Sequence, residues 1–302
     1  MRQATKTFTC FGGDCTVSVE GSGPLGPPED AVVVIRDEML DWHAVFSRFK
    51  PESELTALNS SADADVSVTP LMARFVEAAL GVAQMTGGLV DPTLLDEIEA
   101  AGYKADHLRA TVALPLALAL AGERSPATSS PSPRWKEVSV DPSGPTVSRP
   151  PGVRFDGGGV VKGLFADHAA DRLSEYAAFV VDCEGDMRVG GSAGAIQLVA
   201  VGNPFNGRLL HEFSLSGGAV ATATIAKRSW YAAGMRPAHH LLNPCTGRPA
   251  YSGVVQVSAL APTAVEGEAL CKAALLSGPD SAPRWLEHGG VILLDDSSTL
   301  VV

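Results

Sequence analysis

From Pro151 onward the chain is punctuated by short apolar or β-branched runs: Phe179 to Cys183, Ile196 to Val201, Val254 to Ala261 and Val291 to Leu294. Each is bounded by glycine, proline or aspartate, so each reads as a strand. Only two helical patterns interrupt them. One begins near Val160, after Gly157-Gly158-Gly159, and the other near Ala264, where Thr263 and Glu266 match the S/T-x-x-E capping box. A doubly wound parallel sheet needs a regular strand-helix alternation, which is missing. The expected class is therefore α+β, with mixed, largely antiparallel sheets and flanking helices.

The first half reads as more helical. Val32, Ile35, Met39, Trp42 and Val45 or Phe46 recur at three and four, with Arg36, Asp37 and Asp41 between them, and predict a helix ending near Arg48. A second starts at Thr69-Pro70, a hydroxyl cap followed by proline at the first helical position, and runs to Gly87-Gly88. Val17 to Val19 is expected to be a short first strand. The SPATSSPSP stretch inside 123–135 has loop composition and is expected to be a flexible loop or boundary. No internal repeat is visible. A chain of 302 residues suits a single domain over 1–302 or two interlocked lobes, with room for a ligand cleft.

Charge narrows the partners. Lys plus Arg number 23 against 34 Asp plus Glu, a net charge of −11, which argues against nonspecific binding to nucleic acid or anionic membranes. A phosphate ligand must then be held locally, by a metal, a lysine or a helix end. The five cysteines, Cys10, Cys15, Cys183, Cys245 and Cys271, form no C-x-x-C and suit reduced thiols. No apolar stretch approaches the ~20 residues of a membrane span, and no signal peptide is visible behind MRQATKTFTCFGGDC, so a cytoplasmic location is expected.

Six segments can carry chemistry. In Asp156-Gly157-Gly158-Gly159-Val160-Val161-Lys162-Gly163 three glycines let backbone approach a ligand where a helix begins. Lys162 sits in the first turn, against the helix dipole, which suggests an anion nearby; the alternative is a glycine loop with a solvated lysine. His239-His240 ends an apolar run before a sharp turn. Adjacent residues on a strand face opposite sides, so only one histidine can serve a site, as proton acceptor or as a structural group. Glu268 and Lys272 lie four apart on one helix face, as an exposed ion pair or as a Mg²⁺ carboxylate with a competing ammonium. Thr222 and Thr224 precede Lys227-Arg228 and offer hydroxyls to phosphate, or form an ordinary sheet edge. Phe46 to Lys50 and Val90 to Thr93 offer an aromatic wall and a loop for a planar ring, or core.

In this order, the segments resemble the FAD:protein FMN transferases, the ApbE family, over nearly the whole chain. FSRFKPESELTALN is similar to the family's F/M-S-x-Y/F-x-P-x-S-E-L-x-x-L-N, and VDPTLLDEIEAAGY to its F-D-P-T segment. DGGGVVKGLFAD resembles D-L/G-G-G-I-A-K-G-Y-A-x-D, VVDCEGDMRVGG resembles N-x-G-G-D-I-x-x-G, and HLLNPCTGRP resembles H-I-I-D-P-x-T-G-x-P. VEGEALCKAALLSG corresponds to A-D-A-L-x-T-A-L-x-x-x-G.

The resemblance implies a two-lobed flavin transferase that moves FMN from FAD onto a threonine or serine hydroxyl of an acceptor protein, releasing AMP. It assigns His240 to activating the acceptor hydroxyl. It assigns Phe11, Phe49, Asp91, Asp156, Lys162, Thr222 and Asn243 to FAD, and Gly159, Glu268 and position 272 to Mg²⁺. Here Glu268 replaces the usual Asp, Lys272 a Thr, Asn243 an Asp and Phe49 a Tyr. The Lys272 substitution leaves two readings at the metal position, a displaced cation or an ammonium in its place. The other activities of the same scaffold are flavin binding without transfer, and FAD pyrophosphate hydrolysis to FMN and AMP.

Overall fold

The structure, a computed structural model, describes residues 2–105, 112–141, 143–232, 234 and 236–302. Its frame is an eight-stranded sheet built from Gln3–Cys10, Gly13–Glu20, Ala178–Cys183, Asp186–Gly190, Gly218–Thr224, Val254–Ala261, Gly290–Leu294 and Thr299–Val301. Sheet order is chain order, and every neighbouring pair is antiparallel. The helices occupy long insertions between adjacent strands, which is why the sequence shows no βαβ rhythm.

Seven α-helices accompany the sheet among the described residues: α1 Pro28–Phe46, α2 Glu54–Ser60, α3 Pro70–Met85, α4 Leu95–Ala100, α5 Leu114–Leu120, α6 Val161–Leu173 and α7 Ala264–Ser277. The α1 stripe of Ala31, Val32, Ile35, Met39, Trp42 and Phe46 is buried, as its spacing predicts. Thr69 caps α3 by accepting the Met72 N–H at 3.2 Å, and Thr263 caps α7 by accepting the Glu266 N–H at 3.3 Å. Helix α7 is buried on almost all sides, against strands 218–224 and 254–261, α6 and α3. A polar residue on α7 therefore faces protein or cleft.

Three features differ from the sequence reading. The Val17 to Val19 strand is half of a hairpin, 3–10 with 13–20, whose outer strand alternates exposed Gln3, Thr5, Thr7 and Thr9 with half-buried residues and so carries little hydrophobic signal. Helix α2 lacks a long apolar stripe; Ser53 starts it by accepting the Thr56 N–H at 3.1 Å. Strand 218–224 lies inside the sheet, between 186–190 and 254–261, and is no edge.

The stretch 121–133 contains no helix or strand. Its backbone is nonetheless anchored: Ser125 N–H donates to Tyr251 O at 3.0 Å, Ala127 N–H to Leu276 O at 2.8 Å, and Ser129 Oγ to Gly87 O at 2.6 Å.

Candidate active site

A cleft of about 1290 Å³, counting its open mouth, collects residues from across the chain. Its wall includes Phe11, Phe49, Asp91, Tyr103, Asp156, Gly157 to Lys162, Arg228, His240 and Lys272.

The glycine segment forms one end. Gly157–Gly159 makes a 3₁₀ turn that leads into α6. The Leu164 N–H closes the first helical bond to Val160 O at 2.9 Å, and the Gly163 N–H goes to Glu268 Oε2 at 3.2 Å. The N–H groups of Val161 and Lys162, in the first turn, have no helical partner and carry the positive end of the dipole. A Cβ at residue 159 would lie 3.5 Å from Lys272 Nζ, in ordinary contact, so the glycine turn and the ammonium are neighbours.

The anion that Lys162 requires is Asp186, on strand 186–190, whose Oδ2 accepts from Lys162 Nζ. Asp186 was invisible as a site residue in isolation, although the VVDCEGDMRVGG resemblance contains it. Burial alone would lower the Lys162 pKa, but the charges of Asp186 and Glu268 raise it, and the ammonium is fixed. Burial, then the Glu268 charge, pushes Asp186 up to about 6.

Glu268 and Lys272 correct the exposed-pair expectation. Glu268 is 1% exposed and Lys272 9%. Lys272 Nζ donates to Glu268 Oε1 at 2.6 Å. Burial opposes ionisation of Glu268, yet Lys272 and Lys162 hold its pKa below the ordinary value. Both carboxylate oxygens are engaged, one of them by the Lys272 ammonium. With that like charge at the expected metal position, the residues there do not fit a divalent cation.

The other end is aromatic. Phe49 meets Tyr103 edge-on at 5.6 Å, and Tyr103 stacks on Trp230 at 5.1 Å with 15° between the rings. The Arg48 guanidinium lies over Phe49 and Tyr103, 4.3 and 4.8 Å from their centroids, and its Nε reaches Asp156 Oδ1 at 3.3 Å. Asp91 accepts the Thr93 N–H at 2.8 Å within its own loop, and burial raises its pKa. Phe11 and Arg228 on the wall and Glu184 beside them all have positive φ, 51°, 50° and 60°. Arg228 ties them together by donating to Glu184 Oε2 and, at 3.1 Å, to Phe11 O. Three strained non-glycine residues in one hydrogen-bonded group is the pattern of a functional site.

His240 lines the cleft just beyond strand Arg236–His239, whereas His239 does not. His239 turns inward, with Nδ1 accepting the Leu241 N–H at 3.3 Å and its ring edge-on to Tyr251. Burial, then the charges of Arg228, His239, Lys272 and Lys162, drives the His240 pKa well below its ordinary value. Its Nδ1 is buried without a hydrogen-bond partner. The imidazole is therefore neutral, with Nδ1 in place to accept a proton, and the surrounding cations weaken it as a base.

Besides Glu268, which stands behind Lys272, two candidates lie outside this wall. Thr222 sits beside the Asp186 pairing position, with Oγ1 2.7 Å from Ser258 Oγ and its N–H on Gly185 O. Asn243 Oδ1 accepts the N–H groups of Cys245 at 3.0 Å and Thr128 at 3.3 Å, tying the histidine turn to the 121–133 stretch. Arg48 and Tyr103 were missed as individual residues, and Arg228 was noted only as a basic residue following the Thr222 strand. Their only sequence signal was membership of, or proximity to, the resembling segments.

The comparisons agree with one another. A FAD:protein FMN transferase of Rhodobacter capsulatus is 29% identical over 95% of this chain, and one of Treponema pallidum is 27% identical over 95%. The chain spans about half of the first protein, 54%, and 82% of the second. The fold matches the ApbE protein of Thermotoga maritima with a TM-score of 0.80 at 24% identity, over 99% of this chain and 97% of that one. It matches the flavin transferase ApbE of Vibrio cholerae with a TM-score of 0.75 at 18% identity, over 100% and 96%. The ApbE family profile covers residues 11–294, and the chain belongs to the ApbE family.

Proposed function

We propose that the protein is a FAD:protein FMN transferase, acting as one unit of two interlocked lobes. The observation that carries this reading is the convergence of the triglycine turn, Lys162 and His240 on one cleft with an aromatic end. The isoalloxazine would lie against Phe49 and Tyr103, and the diphosphate at Gly157 to Lys162.

In the reaction, the acceptor threonine or serine oxygen attacks the FMN-side phosphorus and a new P–O bond forms. The bond from that phosphorus to the bridging oxygen breaks, AMP leaves with that oxygen, and the hydroxyl proton passes to His240. Lys162 and the first-turn N–H groups of α6 hold the charge that builds on the diphosphate. Thr222 and Asn243 would act from behind, through the Asp186 strand and the histidine turn. The family resemblance implies Mg²⁺, but no step is routed through a metal that these residues do not fit. The five free cysteines suit a reducing compartment such as the cytoplasm, and no described helix is long and apolar enough to cross a membrane.

Incubation with FAD and a threonine-bearing acceptor protein tests the reading. AMP release with a gain of one FMN on the acceptor supports it. Free FMN plus AMP would identify a hydrolase, and tight FAD binding without AMP a flavin-binding protein.

A further inference from the structure

Cationic residues outnumber acidic ones on the cleft wall. Among the described residues, four cationic side chains reach its wall, Arg48, Lys162, Arg228 and Lys272, against two carboxylates, Asp91 and Asp156. The anions that hold three of these cations, Asp186, Glu184 and Glu268, are absent from the wall. Asp186 and Glu268 are buried behind their lysines, with side chains 2% and 1% exposed, while Glu184 is exposed to the same degree as Arg228; the cationic excess on the wall suits a dianionic diphosphate.

Lys272 is the informative member. It projects from a helix buried nearly all round, a costly place for a charge unless that charge has a use. One N–H is given to Glu268, and an ammonium has three, so two remain for a ligand. Gly159 and Lys272 both line the cleft, and a Cβ at residue 159 would lie 3.5 Å from Nζ, so the ammonium adjoins the glycine turn. A divalent cation at the same place would have to displace both Lys272 and the Gly163 N–H from Glu268, and would meet the ammonium as a like charge.

We propose that the Lys272 ammonium, clamped by Glu268 beside Gly159, is a built-in replacement for a divalent metal ion, so that the enzyme binds FAD and releases AMP without added metal. Its charge, fixed before substrate arrives, offsets the negative charge that develops on the bridging oxygen as AMP departs. This rests on the flavin-transfer reading given above.

The test is FAD affinity, followed by flavin fluorescence, and AMP release with an acceptor, each in EDTA and in Mg²⁺. The wild-type protein is expected to give the same values within about twofold in both. Lys272→Met alone strands the Glu268 charge, so the double variant Lys272→Met/Glu268→Gln is used, with its fold checked by circular dichroism. It is expected to bind FAD at least about tenfold more weakly in EDTA. Wild-type binding or turnover that improves about tenfold or more with Mg²⁺ overturns the proposal while leaving the flavin reading intact. A folded double variant with wild-type affinity also overturns it. FAD binding under neither condition overturns both. If the double variant does not fold, the wild-type comparison in EDTA and Mg²⁺ decides.

Discussion

Gly163 on α6 donates its N–H to Glu268 on α7 at 3.2 Å, at a point where a Cβ on residue 163 would lie 2.9 Å from the Ala264 backbone. The two helices cross at backbone contact. That contact sets Lys162 beside Glu268 and Asp186, so the spacing of the charged cluster depends on one missing methyl group.

Gly163→Ala should therefore destabilise the fold although alanine is the better helix former. Overpacking of a close backbone contact costs ~1–3 kcal/mol, which exceeds the ~1 kcal/mol gained in helix propensity. A lowered urea midpoint with unchanged slope is expected, together with weakened FAD binding. An unchanged midpoint would mean that the crossing yields without cost.

His240→Ala should reduce transfer by at least ~100-fold, the lower end for loss of a general base, while FAD affinity stays within about threefold. Rates of AMP release and equilibrium FAD titration separate the two effects. Equal losses in both would make His240 a binding residue.

The depressed pKa of His240 fixes the sense of the pH profile. A base that stays neutral below its ordinary value of 6.5 keeps accepting protons as pH falls, so the acidic limb of kcat/KM should lie below 6.5. A limb at or above 6.5 would show an unperturbed imidazole.

His239, buried against Tyr251, acts on stability. Burial lowers its pKa to about 4. The unfolded chain then binds a proton below pH 6.5 that the folded chain refuses, so stability is present above that pH and declines beneath it. At pH 5 the loss from this residue is about 2 kcal/mol relative to pH 7.5. Urea unfolding from pH 7.5 to 5 should show it, and His239→Asn, which retains an acceptor for the Leu241 N–H, should remove most of it.

Much of this architecture was legible because its signals are local. Thr69-Pro70 and the Thr263/Glu266 box announce helix starts in a few residues, and Val254 to Ala261 is apolar enough to demand an interior strand. The hairpin strand 3–10 was not, since its threonines face solvent. At the site, the triglycine turn and His240 stand out by residue type. Asp186 and Arg228 do not, because their meaning comes from partners 24 and 44 positions away, Lys162 and Glu184. Lys272 was legible as a departure in the pattern, but its burial, which converts a surface ion pair into part of the cleft wall, needed coordinates.

The central claim is spatial, and a crystal structure of the protein soaked with FAD tests it most directly. The expected result is a diphosphate bonded to Lys162 and the first-turn N–H groups of α6, with the isoalloxazine against Phe49 and Tyr103 and His240 within reach of the FMN-side phosphate. FAD ordered on another surface, or a cleft that stays empty at saturating FAD, would contradict it.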